Sequence, residues 1–212
     1  MKTTSIFLPF LVLPIVFASR ADAQPMPETS SQPAVTEEQT SALHKENSLN
    51  ISPLGVLSGS YGLTYERLLQ GHHGITVEGN YASASGTDAS SSSAGATIGY
   101  RYHWRGNQDS GFVGLNLGYY DGSGTATVES GGMSTTFDID TKVTTLTANI
   151  GRRWAWDSGL NITFRIGLGQ GNYDITTKSD DPDAKKAVEL VDDLLTLFPI
   201  AFDGELSMGY IF

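Results

Sequence analysis

Several groups of side chains in this 212-residue chain are of types that could do chemistry. His72 and His73 are adjacent and, with His44 and His103, supply the imidazoles available for metal ligation or proton transfer. Asp180, Asp181 and Asp183 offer the hard oxygen ligands that suit Ca²⁺ or Mg²⁺. The run "SASGTDASSSSAGA" offers hydroxyls, and there are no cysteines, which excludes thiolate metal sites, thiol nucleophiles and disulfide staples. None of these groups has the spacing its chemistry needs. The aspartates lack the glycine and spaced ligands of a calcium loop and read instead as the capped, solvated start of a helix. The histidine pair falls in the short turn "LQGHHG", and the serine run reads as a mobile loop, so neither a metal nor a cofactor is expected.

A larger set is more telling: Glu66, Glu78, Arg101, His103, Arg153, Arg165, Asp203 and Glu205 are charged or ionisable residues inside segments that otherwise alternate apolar with small polar residues. In "LNITFRIGL", Leu160, Ile162, Phe164, Ile166 and Leu168 share one face, and Asn161, Thr163, Arg165 and Gly167 the other. That is a strand with one apolar side. The same rhythm sets Ala94, Ala96, Ile98, Tyr100, Tyr102 and Trp104 against Gly95, Thr97, Gly99, Arg101 and His103. It also sets Val113, Leu115, Leu117 and Tyr119 against Gly114, Asn116, Gly118 and Tyr120. Ile75, Val77 and Tyr81 form a further apolar face, as do Leu146, Ala148, Ile150 and Trp154.

Strands are expected at about 58–68, 74–83, 93–104, 111–127, 134–155, 160–174 and 200–212. A soluble barrel and a membrane barrel both have period two, so the polar face must distinguish them. Here it is mostly Gly, Thr, Asn and Ser with a few charges, as expected of side chains crowded in a narrow closed lumen. The connections 69–74, 105–110 and 156–159 are short, whereas 83–92, 121–136 and 174–199 are long. They alternate as the periplasmic turns and outer loops of an outer-membrane barrel do. Tyr65, Tyr102, Trp104, Trp154, Trp156, Tyr210 and Phe212 gather at the short-turn end, and Tyr81, Tyr119 and Tyr173 at the other, as two interfacial belts. An even strand count requires an eighth strand, and "NSLNISPL" (47–54) supplies it, with one long bent strand as the competing reading.

The stretch "DPDAKKAVELVDDLLTLFP" has helical spacing. Ala184, Ala187, Val188, Val191, Leu194, Leu195 and Phe198 share a face opposite Lys185, Lys186, Glu189, Asp192 and Asp193. Asp181 caps it, Pro182 suits its first turn and Pro199 ends it. This helix of the last outer loop either lies on the membrane surface or folds over the barrel mouth, and its net acidic polar face favours the mouth.

Residues 1–23 have the pattern of a secretory signal peptide: Lys2, an apolar run from Ile6 to Ala18, and Ala21-Asp22-Ala23 at the cleavage site. Its removal takes Lys2 and Arg20 from the 13 basic residues and Asp22 from the 23 acidic ones, leaving 11 against 22. Such an acidic chain is no nucleic-acid binder. Residues 24–46 are polar and proline-bearing and read as a flexible periplasmic linker, so the barrel proper is 47–212.

Taken together, residues 47–212 resemble the small eight-stranded outer-membrane β-barrel proteins, the class of the OmpA transmembrane domain and the OmpX-like proteins. The segment "SYGLTYERLL" is similar to a strand near the start of such barrels. The terminal Tyr210 and Phe212 match the family's aromatic C-terminal strand, although Ser207 stands where the family often has glycine and Glu205 at the polar position two places earlier. The resemblance implies a closed antiparallel eight-stranded transmembrane β-barrel, monomeric, in contact with outer-membrane lipid, with Tyr210 and Phe212 as the signal read by the barrel-assembly machinery. Some members modify lipids with a His, Ser and acid grouping at the outer-leaflet level. No histidine here stands at that level, so no enzyme is expected. The nearly balanced inward charges should pair and plug the lumen, giving a structural or surface-interaction protein with an outer ligand yet to be identified. A narrow pore gated by the loop helix, or a soluble lipocalin-like binder, are the other readings.

Overall fold

The computed structural model describes residues 45–53, 59–86, 89–130, 133–179 and 182–212. The expected signal peptide, nearly all of the linker, His44, Asp180 and Asp181 lie outside them. Eight strands follow one another: β1 (Asn47–Ile51), β2 (Ser60–Leu69), β3 (His73–Ser85), β4 (Ala89–His103), β5 (Gly111–Ser130), β6 (Met133–Ala155), β7 (Leu160–Thr177) and β8 (Ile200–Ile211). Each pairs antiparallel with its neighbours, and β1 pairs with β8 to close the ring. Helix α1 (Pro182–Leu197) lies between β7 and β8, as its spacing predicts. The segment 47–54 thus contributes a separate first strand. Its Leu49 faces Tyr65 on one side and Tyr210 on the other.

The register fixes the shape of the ring. Partners lead from Leu49 to Tyr65, Val77, Ile98, Leu117, Leu146, Gln170 and Ile200. Continuing the β8–β1 register from Ile200 reaches position 59, ten residues along from Leu49. With strands about 4.8 Å apart and a rise of about 3.3 Å per residue, that stagger tilts them by about 40°. Eight strands so inclined leave room inside for side chains and little else.

The alternation resolves into an outside and an inside. Leu63, Val77, Ile98, Leu115, Leu146, Ile166 and Leu206 point outward and are exposed. Thr64, Thr76, Thr97, Asn116, Thr147, Asn161 and Ser207, the intervening positions, are buried. The two bulkiest fully buried side chains are the arginines Arg101 and Arg153. Buried apolar groups are few among the described residues: Leu68, Phe112 and Ile211 face inward near the short-turn end, and Ala201 lies further up.

Two expectations need correcting. The long connections 83–92 and 121–136 are for the most part not loops. β3 and β4 stay paired out to Ser85 and Ser90, and β5 and β6 out to Ser130 and Met133. Serine, glycine and aspartate there look like turn residues, but the ladder already running through each hairpin extends at little cost once its register is set. The serine run is accordingly strand in its two described parts, 83–85 and 89–96. Tyr173 is the second: it takes the inward phase of β7, and its hydroxyl donates to the Ile200 carbonyl at 2.9 Å, so it is not part of an outer belt.

Glycine makes room where the lumen is tightest. A Cβ at Gly99 would overlap the Asn116 amide oxygen and the Thr76 hydroxyl, whereas one at outward-facing Gly204 would meet its nearest neighbour, the Arg165 carbonyl oxygen, only at 4.0 Å. Gly99→Val should therefore lower stability by about 1–3 kcal/mol, and Gly204→Val should leave it unchanged. Denaturant midpoints of the two refolded variants check the contrast.

Candidate functional site

The candidate site is the charged interior. Glu66 enters from β2, Glu78 from β3, Arg101 and His103 from β4, Arg153 from β6, Arg165 from β7, and Asp203 and Glu205 from β8. Each sits on the inward phase of its strand, so residues far apart in sequence meet across the lumen.

The tier nearer the short turns is centred on Glu66. Its Oε2 accepts from Arg101 Nη1 at 2.8 Å and from Arg153 Nη2 at 2.7 Å, and its Oε1 lies 2.7 Å from His103 Nε2. All four side chains are fully buried. Arg153 also donates from Nε to Thr163 Oγ1 at 2.9 Å and from Nη1 to the Gln108 amide oxygen. The Arg101 guanidinium lies 4.6 Å from the Phe112 ring centre, and the His103 ring packs 5.4 Å from the same ring. A Cβ at Gly74 would overlap the Glu66 carboxylate, so that position leaves the acid its space.

The second tier is centred on Arg165. Its Nη2 reaches Asp203 Oδ1 at 2.8 Å and Glu78 Oε2 at 3.1 Å, and its Nη1 lies 3.0 Å from Glu205 Oε2. Asp203 Oδ2 accepts from Asn116 at 2.8 Å, Asn149 at 3.0 Å and Thr147 at 3.2 Å. Asn80 donates to Glu78 at 2.9 Å. Glu205 joins the tiers, accepting from Arg101 Nη2 at 2.6 Å and from Ser207 at 2.6 Å. A guanidinium fork can serve three carboxylates at once, which the compact ammonium of lysine does less well. Three arginines face four carboxylates, and His103, when protonated, supplies the fourth positive charge.

All eight sequence-predicted residues therefore fall into one connected network. Sequence reasoning missed the neutral members, Asn50, Asn80, Gln108, Asn116, Thr147, Asn149, Asn161, Thr163 and Ser207 among them. Asn50 donates to Asn161 at 2.7 Å, Ser207 at 3.1 Å and Thr163 at 3.2 Å. Most carry the right strand phase, which was the available signal. Gln108 comes from a turn, where no periodicity could mark it.

The other candidates have structural partners. His72 Nδ1 lies 2.6 Å from the His103 carbonyl oxygen, its ring stacks on Tyr102 at 5.5 Å, and His73 Nδ1 lies 2.8 Å from the Tyr100 hydroxyl. Among the described residues no group of three or more His, Cys, Asp or Glu side chains could hold a metal ion. Of the terminal pair, Tyr210 and Phe212 both point outward. The Phe212 backbone exchanges two hydrogen bonds with Asn47, at 2.9 and 3.1 Å.

At the long-strand end, outward hydroxyls form two cross-strand rows. Ser83, Ser92 and Ser123 lead to Asp140, and Ser85, Ser90 and Thr125 lead to Asp138. With Lys178 they line an open concavity of about 430 Å³. Lys178 Nζ lies 2.7 Å from Asp140 Oδ2, and that hydrogen bond and charge, with a smaller contribution from Asp138, push the ammonium's pKa up.

Among solved structures, the crystal structure of Acinetobacter baumannii CarO2 is similar to this chain, with a TM-score of 0.46 and 11% sequence identity over 79% of this chain and 98% of that one. At that level the likeness adds nothing to what the strand register establishes. No family model and no curated protein matches the sequence.

Adjacent residues test the energetics. Glu66→Gln strips the shared charge from two buried arginines and should cost about 3–5 kcal/mol. Arg67, one position on, points outward to Glu46 at 3.7 Å with both side chains more than half exposed. Arg67→Gln should change stability by about 0.5 kcal/mol or less. Urea unfolding of the two variants beside the wild type checks both values.

Proposed function

We propose that this chain is a non-enzymatic outer-membrane β-barrel protein of a two-membraned bacterium, monomeric, with a lumen plugged by its own charges. In this reading it belongs with the small eight-stranded barrels it resembles. One observation carries it: the molecule is inverted relative to a soluble barrel, with Arg101 and Arg153 fully buried in its interior and large apolar side chains exposed on every strand from Leu49 to Tyr210. In water such a surface would aggregate, whereas in a bilayer it meets acyl chains. The inversion weighs against the lipocalin-like reading, since a soluble binder turns its apolar face to the cavity.

The band also has the dimensions of a bilayer. On β8 the outward residues run from Ile200 to Phe212, twelve residues apart, which at about 3.3 Å per residue and a tilt of about 40° spans about 30 Å. Tyr102, Trp104, Trp154, Trp156, Tyr210 and Phe212 ring its short-turn end, and Tyr61, Tyr81 and Tyr119 stand towards the other. Export, the periplasmic side for the short turns, and Tyr210 and Phe212 as the assembly signal belong to the same reading. So does a surface role for the hydroxyl rows above the band, facing an outer ligand yet to be identified.

The pore reading differs in one measurable respect. Wild-type protein in planar bilayers should show no steady conductance, because Arg101, Arg153 and Glu66 fill the lumen. A steady conductance altered by Arg101→Ala or Glu78→Ala would overturn the plug. The membrane reading itself is checked by fractionation: the protein should enter the outer membrane and migrate as a heat-modifiable band, and recovery in the soluble fraction would refute it. Phe212→Ala keeps the backbone bonds to Asn47 and removes only the ring. Purified, it should refold as the wild type does, while its level in the outer membrane should fall.

A further inference from the structure

The notable unpartnered surface is on α1. On a helical wheel, Leu197, Leu190, Leu194, Phe198, Val191, Leu195 and Val188 fall within about half the circumference, together with Ala184, Ala187 and, in the first turn, Asp183. Asp192, Lys185, Thr196, Glu189, Asp193 and Lys186 fill the other half. Among the described side chains of the apolar arc, those engaged are Val188 and Leu195 at one margin, which are half-buried, in a helix that lies near β7. The rest is open, with Leu190 71% and Leu197 70% exposed and Val191, Leu194 and Phe198 exposed as well. The helix therefore does not bury its apolar face in the mouth, contrary to the preference drawn from its acidic polar side.

Its position says what covers that face. Only Phe198 and Pro199 separate the helix from Ile200, the uppermost outward residue of β8. The turn is closed by the Phe198 amide donating to the Leu194 carbonyl at 3.0 Å and the Ile200 amide donating to the Phe198 carbonyl at 2.8 Å. The C-terminal end of α1 is thus held at the top of the apolar band, two residues from Ile200, where the 75% exposed Phe202 and its β7 partner Leu168 face outward and Phe198 and Leu194 are exposed as well. The chain therefore tethers the open arc of the helix within two residues of the upper end of the barrel's apolar wall.

We infer that α1 is an interfacial anchor. It lies in the outer-leaflet boundary beside the barrel, with Leu190, Val191, Leu194, Leu197 and Phe198 among the acyl chains and its charged half towards water. This rests on the membrane reading above. The polar half carries three acids against two lysines, so apolar contact rather than attraction to anionic headgroups holds the helix down.

The absence of native cysteine makes the test direct. The full chain carrying Leu194→Cys, Leu190→Cys, Asp193→Cys or Leu206→Cys is labelled with an environment-sensitive fluorophore and refolded into phosphatidylcholine vesicles. Quenching is then compared between a shallow nitroxide-labelled lipid and aqueous iodide. Labels at 190 and 194 should be quenched by the nitroxide lipid at least about threefold more than the label at 193, and iodide should reverse the order. With the Leu206 reference quenched by lipid, iodide access at 190 and 194 equal to that at 193 would overturn the anchor. Protection of 190 and 194 from both quenchers would also overturn it, in favour of a helix folded over the mouth, or of a second copy if protection rises with the protein-to-lipid ratio. A Leu206 label that the nitroxide lipid fails to quench would instead refute the membrane reading.

Discussion

A five-residue strand, Asn47–Ile51, completes the ring by pairing with β2 on one side and β8 on the other. The backbone hydrogen bonds of that closure set the number of strands and their stagger, and with them the width of the lumen. A lumen of that width cannot hold bulk water and cannot be left empty, so it must be filled by side chains whose polar groups satisfy one another. The inward phase answers with a division of labour: small residues such as Gly74 and Gly99 give up volume, and long ones such as Arg101, Arg153 and Arg165 take it up.

The interior that results is held by pairing rather than by apolar burial. Each of the three inward arginines meets more than one acceptor, and each of the four inward carboxylates meets two or more charged or amide donors. The large desolvation cost of an ion is met by several short contacts at once, so the groups depend on one another. Phe112 adds an apolar plate against which Arg101 and His103 rest, so that even the interior's large apolar ring serves to position charge.

Much of this was legible in the sequence, because period two assigns every residue of a strand to one of two sides without knowledge of its neighbours. Glu66, Arg101, Arg153 and Arg165 could be placed inside from their own segments alone. Which of them meet could not be read, since pairing across the lumen depends on a stagger accumulated over eight registers. The extent of β5 and β6 was misread for a related reason: the composition of 121–136 argues for a loop locally, and the hairpin ladder overrides it. The eighth strand followed from parity rather than from its own five residues. The position of α1 was decided by the chain joining it to β8, which helical spacing does not encode.

The strands are very unequal, from five residues in β1 to 23 in β6, and β8 stops pairing with β7 at Gln170. The Gly171 amide still donates to the Pro199 carbonyl at 2.9 Å, but among the described residues 172–177 are laddered to β6 alone, and the tall wall of β3 to β7 is an open sheet standing on a closed one. A closed ring has no edges, which is what a medium without hydrogen-bonding partners demands. In the proposed membrane setting, the same chain reinstates edges as soon as its strands rise clear of the apolar band, where water can satisfy them. Backbone groups at a sheet edge are also what another extended chain would pair with. The side of the wall beside α1 is therefore where the molecule could lengthen its own sheet, and Asp174 and Lys178 stand along that border as charges unfavourable to an unselected strand.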